Sequence, residues 1–347
     1  MKHFLNWEGA PVGRPLATRR FLTDAFATYD QATYDSAGAF LIGELERLDP
    51  MIHEPLVSIS WDRDIDLRTD VQMGDETSSY TVSTFASVGG ASPSGISWAG
   101  KETTTTPRVN LDIGKIPNPL TLWSEEVSYT VPELISAQQL GRPIDSQMLQ
   151  FLNLKHQMDI DQLVYVGDAA IGATGLLNSA GVVNVANVPN GAAGTPQFST
   201  KTPAEILADF NELLKSVWAA TGYKAPPNKV LVAPLPFGYL TTTVISAAGS
   251  TSILTYLQEN NVMTAQYKVP LDILPAKWLD KANLPGATTD RMVAYTQRPD
   301  YVRYPMVPLQ AMQPQYRGIW VAVPYYGRLG RVETVYPETL GYRDGIG

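Results

Sequence analysis

From about Thr69 to Ile116 the chain runs through a Ser/Thr/Gly-rich stretch with almost no large apolar side chain to pack back on a core. Two alternating runs, Ser79–Val88 and Thr103–Ile113, flank the Gly/Pro/Ser turn GGASPSG, which is the pattern of a long β-hairpin. Arms of roughly 20 residues at about 3.3 Å per residue reach on the order of 65 Å. A long hairpin without its own core is marginal alone in water, so this one is expected to lie on something else.

Charge points the same way. Charged residues make up 17% of the 347, against about 25% in an ordinary soluble domain. A monomer of this size needs a solvated surface, which Lys, Glu, Asp and Arg normally supply. The deficit implies that much of the surface does not face water in the working state. The 26 Lys+Arg stand against 34 Asp+Glu, a net charge of −8, which argues against tight nucleic-acid binding by the chain as a whole. With no cysteine there is no disulfide framework, thiol nucleophile or Cys-based zinc or iron–sulfur site. No run of about 18 apolar residues offers a spanning helix. The start, MKHFLNWEGAPVGRP, lacks the continuous apolar stretch of a secretory signal. The length allows about two domains.

The rest of the chain reads in segments. Residues 1–35 form an extended, basic arm with Arg14, Arg19 and Arg20, and Pro11, Gly13 and Pro15 prevent an early helix. A short helix follows from Ser36, with Leu41, Leu45 and Leu48 on one face and Asp49-Pro50 as its stop. Residues 56–68 read as a strand, with Trp61, Arg63, Ile65 and Leu67 facing one way and Asp62, Asp64, Asp66 and Arg68 the other. PELISAQQL is a short helix. After Gly141-Arg142-Pro143, Asp145 or Ser146 caps a longer one, whose Leu149, Leu152, His156, Ile160 and Leu163 share a face. It runs into the turn GDAAIGATGLLN. From about 175 to 290 the pattern is α/β. Thr202-Pro203-Ala204-Glu205 is a capping box opening a helix with Ile206, Phe210, Leu213, Leu214 and Val217 on its apolar face. KVLVA (229–233) is a buried strand. Helices follow around Tyr239–Ser246 and over 252–259, and strands return in RMVAYTQ, GIWVAVPYY and GRVETVYP. Beyond residue 290 all seven basic residues are Arg, and Tyr is frequent (17 in the chain); both residue types suit contact surfaces.

Motifs for chemistry are weak. G-I-S-W-A-G-K (95–101) has P-loop spacing, but Glu102 stands where magnesium binding needs Ser or Thr, and no strand–helix context surrounds it. It reads as a hairpin tip with one exposed Lys. D-R-D-I-D (62–66) begins like a calcium loop, yet Leu67 and Met73 occupy the Gly and Glu positions; it reads as the solvated acidic face of a strand. His3, His53 and His156 are not at metal-ligand spacing, and His156 reads as a packed, hydrogen-bonded core residue. No G-x-S-x-G elbow is present.

The order of elements is arm, long hairpin, β segment, long helix, glycine-rich turn, α/β unit and returning strands. Together with YVGDAAIGATGLLN (165–178), TPAEILADFNELL (202–214), PNKVLVAPLPFGYL (227–240), SILTYLQENN (252–261) and the stretch 290–346, it resembles the tailed-bacteriophage major capsid protein. That fold is shared with encapsulins and the herpesvirus capsid floor. The resemblance implies an α+β fold: N-terminal arm (1–55), strand and extended loop (56–114), peripheral domain with spine helix (115–178), axial α/β domain (179–290) and a return to the peripheral domain (291–347). It implies a structural protein of an icosahedral virion capsid, not an enzyme, with no cofactor or metal. Hexamers and pentamers of the chain enclose double-stranded DNA after assembly in the host cytoplasm. Partners are further copies of the chain, packaged DNA through weak non-specific contact, and separate scaffold, decoration and portal proteins, with no membrane. Because the chain begins at Met1 and the arm is short, no cleaved scaffolding segment is expected. With Lys101 and Lys115 the only Lys in the loop region and no marked partner, a non-covalent shell is expected.

Subunit-interface candidates are Arg14, Arg19 and Arg20 of the arm, Tyr80, Phe85, Trp98, Lys101, Glu102 and Arg108 of the loop, and Arg328 and Arg331. One rival is an encapsulin-type shell around a protein cargo. Another is a β-rich hydrolase or carbohydrate-binding protein using Glu125 and Glu126, or Asp159 and Asp161. Neither of those pairs points to one side of its element.

Overall fold

The computed structural model describes residues 57–87, 101, 109–139, 144–245, 250–268 and 270–347. The arm, with Arg14, Arg19, Arg20, His3 and His53, and the loop residues Trp98, Glu102 and Arg108 lie outside the described residues.

The segment read as a strand over 56–68 is a short helix, α1 (Trp61–Asp64), followed by a short strand, β1 (Asp66–Arg68). Trp61, Asp64 and Ile65 are the buried residues, at 6%, 0% and 2% exposure. That spacing of three and four is helical, not alternating. Asp64 therefore points inward, and the stretch is not a solvated acidic face.

The hairpin is present. Strand β2 (Thr77–Ser87) pairs antiparallel with β3 (Val109–Pro119) from Thr77↔Pro119 to Ser87↔Val109. The described part of the second arm runs on past Ile113, the end expected for it, and closes with two prolines, Pro117 and Pro119; Thr103–Arg108 of the expected arm lie outside the described residues. The pair forms a two-stranded sheet of its own, with no backbone ladder to another strand among the described residues.

Strand β4 (Thr121–Thr130) and helix α2 (Val131–Gln139) lead to the spine helix α3 (Ile144–Tyr165). The spine begins at Ile144, so Asp145 and Ser146, expected to precede it, lie in its first turn. Leu152, His156, Ile160 and Val164 form its buried stripe, while Leu149 is 38% exposed. His156 packs edge-on against Trp123 with ring centroids 4.8 Å apart. Its Nε2 is buried with no hydrogen-bond partner among the described residues, so it is packed as expected without the expected hydrogen bond at that atom, and burial lowers its pKa.

The glycine-rich turn closes the spine. It folds as β5 (Gly167–Asp168) and β6 (Ala173–Thr174), after which the N–H groups of Leu176 and Leu177 donate to the carbonyls of Val164 and Tyr165 at 2.7 and 2.9 Å. Those carbonyls would otherwise be orphaned at the helix C-terminus. Gly167 has φ +78°, and a Cβ there would stand 2.2 Å from the Ala173 carbonyl oxygen, so no side chain fits.

Two larger sheets follow. The five-stranded one runs β7 (Val183–Asn184), β15 (Leu340–Asp344), β10 (Arg291–Tyr295), β8 (Lys229–Val232), β9 (Asp272–Pro275). Helix α4 (Pro203–Ala220) starts at the expected capping box, and its Ile206, Phe210, Leu213, Leu214 and Val217 are all fully buried. Helices α5 (Pro234–Thr242), α6 (Ile253–Asn260) and α7 (Val262–Tyr267) complete this unit. Helix α5 begins at Pro234, earlier than the Tyr239 start expected, because Pro suits the first helical turn.

The six-stranded sheet has the order β1, β11 (Val302–Ala311), β13 (Trp320–Leu329), β12 (Gln315–Arg317), with β4 pairing β13 and β14 (Glu333–Thr334) pairing β11. Strand β11 escaped the sequence reading because Pro305 and Pro308 interrupt its pattern; its register to β13 shifts between Val307 and Gln310, as at a bulge. Residues 291–347, expected as a return to the peripheral domain, supply strands to both sheets.

Candidate assembly surface

The hairpin stands on a polar base whose centre is Glu333. Its carboxylate, fully buried on β14, accepts from Ser78 Oγ of β2 at 2.5 Å, from Arg303 Nε of β11 at 2.8 Å and from Arg68 NH1 of β1 at 3.2 Å. Burial pushes this carboxyl up, and the hydrogen bonds from Ser78 and Arg303 outweigh it, so Glu333 lies below the ordinary glutamate value. Arg68 also donates to Ser78 Oγ and the Ser79 carbonyl, at 2.9 and 3.2 Å, and pairs with Asp70 at 2.7 Å.

Three of the predicted residues converge here. The Tyr80 hydroxyl reaches the Thr334 carbonyl at 3.4 Å; burial, then the Glu333 charge, raises its pKa. Arg331 Nε donates to Asn118 Oδ1 at 2.6 Å. Arg328 donates to the carbonyls of Met73 and Leu120, at 2.8 and 3.2 Å. The bonds of these arginines lie within the chain and brace the hairpin root. Phe85 pairs in register with Leu111, and Lys101 is exposed in a turn. Glu333 itself was missed, although it sits inside a strand-like run, GRVETVYP, where a lone acid is a signal of pairing.

The other late arginines are also anchored. Arg291 donates to Asp344 through Nε and NH2, at 2.6 and 3.0 Å. Arg343, 1% exposed, pairs with Glu212 at 2.5 Å and donates to the Asp209 carbonyl at 2.7 Å. Much of the Arg enrichment therefore serves internal bracing, where a fork of donors satisfies several buried acceptors.

Beyond its base the hairpin is open. Val109, Leu111 and Ile113 alternate along β3 and so share one face; they are 66%, 64% and 63% exposed. The hairpin thus carries an open apolar row in Val109, Leu111 and Ile113 that the Ser/Thr/Gly-rich reading did not give weight to. Leu122, Tyr316, Ile319 and Trp320 add exposed apolar surface elsewhere.

A second junction ties α1 to the body. Asp64 pairs with Lys229 at 3.1 Å and with Arg63 at 2.8 Å, and accepts from the Tyr165 hydroxyl. Asp161 accepts from Ser60 N and Trp278 Nε1 at 3.0 and 2.7 Å, and Lys277 pairs with it at 2.8 Å. Asp159 instead serves Trp123 Nε1 at 3.0 Å, so Asp159 and Asp161 face different partners. Among the described residues no group of three His, Asp or Glu is arranged for a metal, and no helix is long and apolar enough to cross a membrane.

The family described as major capsid protein matches residues 95–346. The chain belongs to that family. Solved structures agree on the fold. The capsid of Myoviridae phage XM1 is similar with a TM-score of 0.72 at 14% identity, covering 89% of this chain and 99% of that one. The capsid of the native GTA particle gives 0.60 at 13% identity, covering 92% and 100%. The holo-SrpI encapsulin complex from Synechococcus elongatus PCC 7942 gives 0.50 at 14%, covering 87% and 93%. No curated protein matches. The capsid protein is thus a structural shell component rather than an enzyme, with the mixed helix-and-sheet phage capsid fold, and it self-assembles into a shell.

Proposed function

We propose that this capsid protein forms the hexamers and pentamers of an icosahedral phage head that encloses double-stranded DNA and is assembled in the host cytoplasm. The observation that carries this reading is the hairpin: a two-stranded ladder with Val109, Leu111 and Ile113 about two-thirds exposed on one face. Exposed apolar residues in a row call for a cover, and in a shell of identical subunits the nearest cover is a neighbouring copy. The hairpin, as extended loop, lies across that neighbour. Residues 115–178 serve as the peripheral domain, and 179–290 as the axial domain that closes the rings. Arg14, Arg19 and Arg20 of the arm contact either DNA or acidic faces of adjacent subunits. Lys101, Phe85 and the tip residues Trp98, Glu102 and Arg108 belong to the loop contact.

The net charge of −8 suits a lumen that holds DNA without binding it tightly. Scaffold, decoration and portal proteins are separate partners in this reading. The subunits associate without covalent cross-links; a ladder of high-mass bands on a boiled denaturing gel contradicts that. The fold shared with the SrpI encapsulin keeps one second reading, a shell around a protein cargo. Particle contents decide: nuclease-protected double-stranded DNA supports the phage head, and a stoichiometric second protein without DNA supports the cargo shell.

A further inference from the structure

We propose that Glu333 is the positioning residue that sets the direction in which the β2–β3 hairpin leaves the body, and so fixes where each copy meets the next. The second half rests on the reading that the hairpin lies on a neighbouring copy.

The hairpin shares no strand ladder with either larger sheet, so its direction is set where it is rooted. An 11-residue ladder is about 36 Å long. A tilt of about 10° at the root therefore moves the far end by about 6 Å at that length, enough to misplace every contact along an apolar row. Control of the root is control of the interface.

Glu333 ties three elements at that root. It stands on β14 and accepts from β1 through Arg68, from β2 through Ser78 and from β11 through Arg303. Arg68 extends the tie to the Ser79 carbonyl of the hairpin backbone. Among the described residues the charged and titratable groups facing Glu333 are Arg68 with its partner Asp70, Arg303 and Tyr80, and Arg331 acts on Tyr80 in turn. The neutral Asn118 of β3, held by Arg331, completes the surround. A buried carboxylate gripped by two guanidinium groups is geometrically specific because the donors approach in fixed directions. The ties from Arg328 and Arg331 pin the chain near β3, while Glu333 bonds β2 directly to the body.

The absence of cysteine makes the test direct. Asp112→Cys on the hairpin and Lys215→Cys on α4, both exposed, carry spin labels on the full chain, and their separation is measured below the concentration at which particles form. The otherwise unmodified chain gives one narrow distance. Glu333→Gln broadens or shifts that distance by several ångströms while the far-ultraviolet spectrum is unchanged, and particle yield falls at least tenfold. Ser78→Ala, which removes one bond only, changes the distance in the same direction by less and serves if Glu333→Gln does not fold. A narrow, unshifted distance in the folded variants overturns the proposal. An altered distance with full particle yield keeps the positioning role and overturns the reading that hairpin direction governs contact between copies. The distance in the unmodified protein also broadens as acid protonates Glu333, whereas Glu333→Gln does not respond; equal responses overturn the role of the carboxylate.

Discussion

The ammonium of Lys229 lies 3.1 Å from the carboxylate of Asp64, with side-chain exposures of 4% and 0%. Lys229 opens strand β8, which lies between β10 and β9, and Asp64 ends helix α1, so this buried pair joins the segment before the hairpin to the five-stranded sheet. Lys229 also donates to the Arg63 carbonyl at 2.5 Å, and the Tyr295 hydroxyl donates to the Asp64 carbonyl at 2.6 Å.

Removing one partner leaves the other charge buried. Asp64→Ala should destabilise the capsid protein by about 3–5 kcal/mol, read as a lowered urea midpoint. The double change Asp64→Leu with Lys229→Met should recover a large part of that loss, because a matched apolar pair leaves no unpaired charge. Equal losses in the single and double variants would show that the pair is not coupled.

Core and hairpin substitutions should separate. Leu213→Ala, at a fully buried position of α4, should cost about 2–5 kcal/mol of stability. Leu111→Ser and Ile113→Ser, on the open hairpin face, should change stability of the unassembled chain by no more than about 0.5 kcal/mol yet lower particle yield strongly. Urea titration and sedimentation of the same samples measure both effects.

Acid should loosen the hairpin root. The pKa of Glu333 lies below its ordinary value of 4.5 in the folded chain, so it contributes stability above that value. The contribution is lost as pH falls through the lower, folded pKa. Urea midpoints of the unmodified protein and Glu333→Gln should differ at neutral pH and converge as the pH drops below 4.5.

The cap of α4 offers a local check. Thr202 accepts from Glu205 N while Glu205 accepts from Thr202 N at 2.8 Å. Thr202→Ala should cost about 1 kcal/mol, seen as a lowered thermal midpoint.

What was readable from the amino acids was the part governed by local pattern. The capping box at Thr202, the apolar face from Ile206 to Val217, the KVLVA strand and the hairpin all follow from periods of 3.6 or 2 within one element. The misses came from contacts distant in sequence. Asp64 looks solvated among its neighbours and is buried only because Lys229 and Tyr165 meet it in space. Strand β11 is interrupted by Pro305 and Pro308, yet β13 and β1 hold it in a sheet. Glu333 reads as one acid in a strand, and nothing local reveals that Arg68, Ser78 and Arg303 converge on it. Composition suggested contact surfaces for the arginines of the final third, and nothing local shows that Arg291, Arg303, Arg328, Arg331 and Arg343 also make bonds within the chain.

Electron microscopy of the purified protein tests most directly whether copies of this chain cover one another. Closed shells of uniform diameter, built from five-fold and six-fold rings with each hairpin lying on a neighbouring copy, are the predicted result. A protein that stays monomeric at every concentration and forms no particles would contradict it.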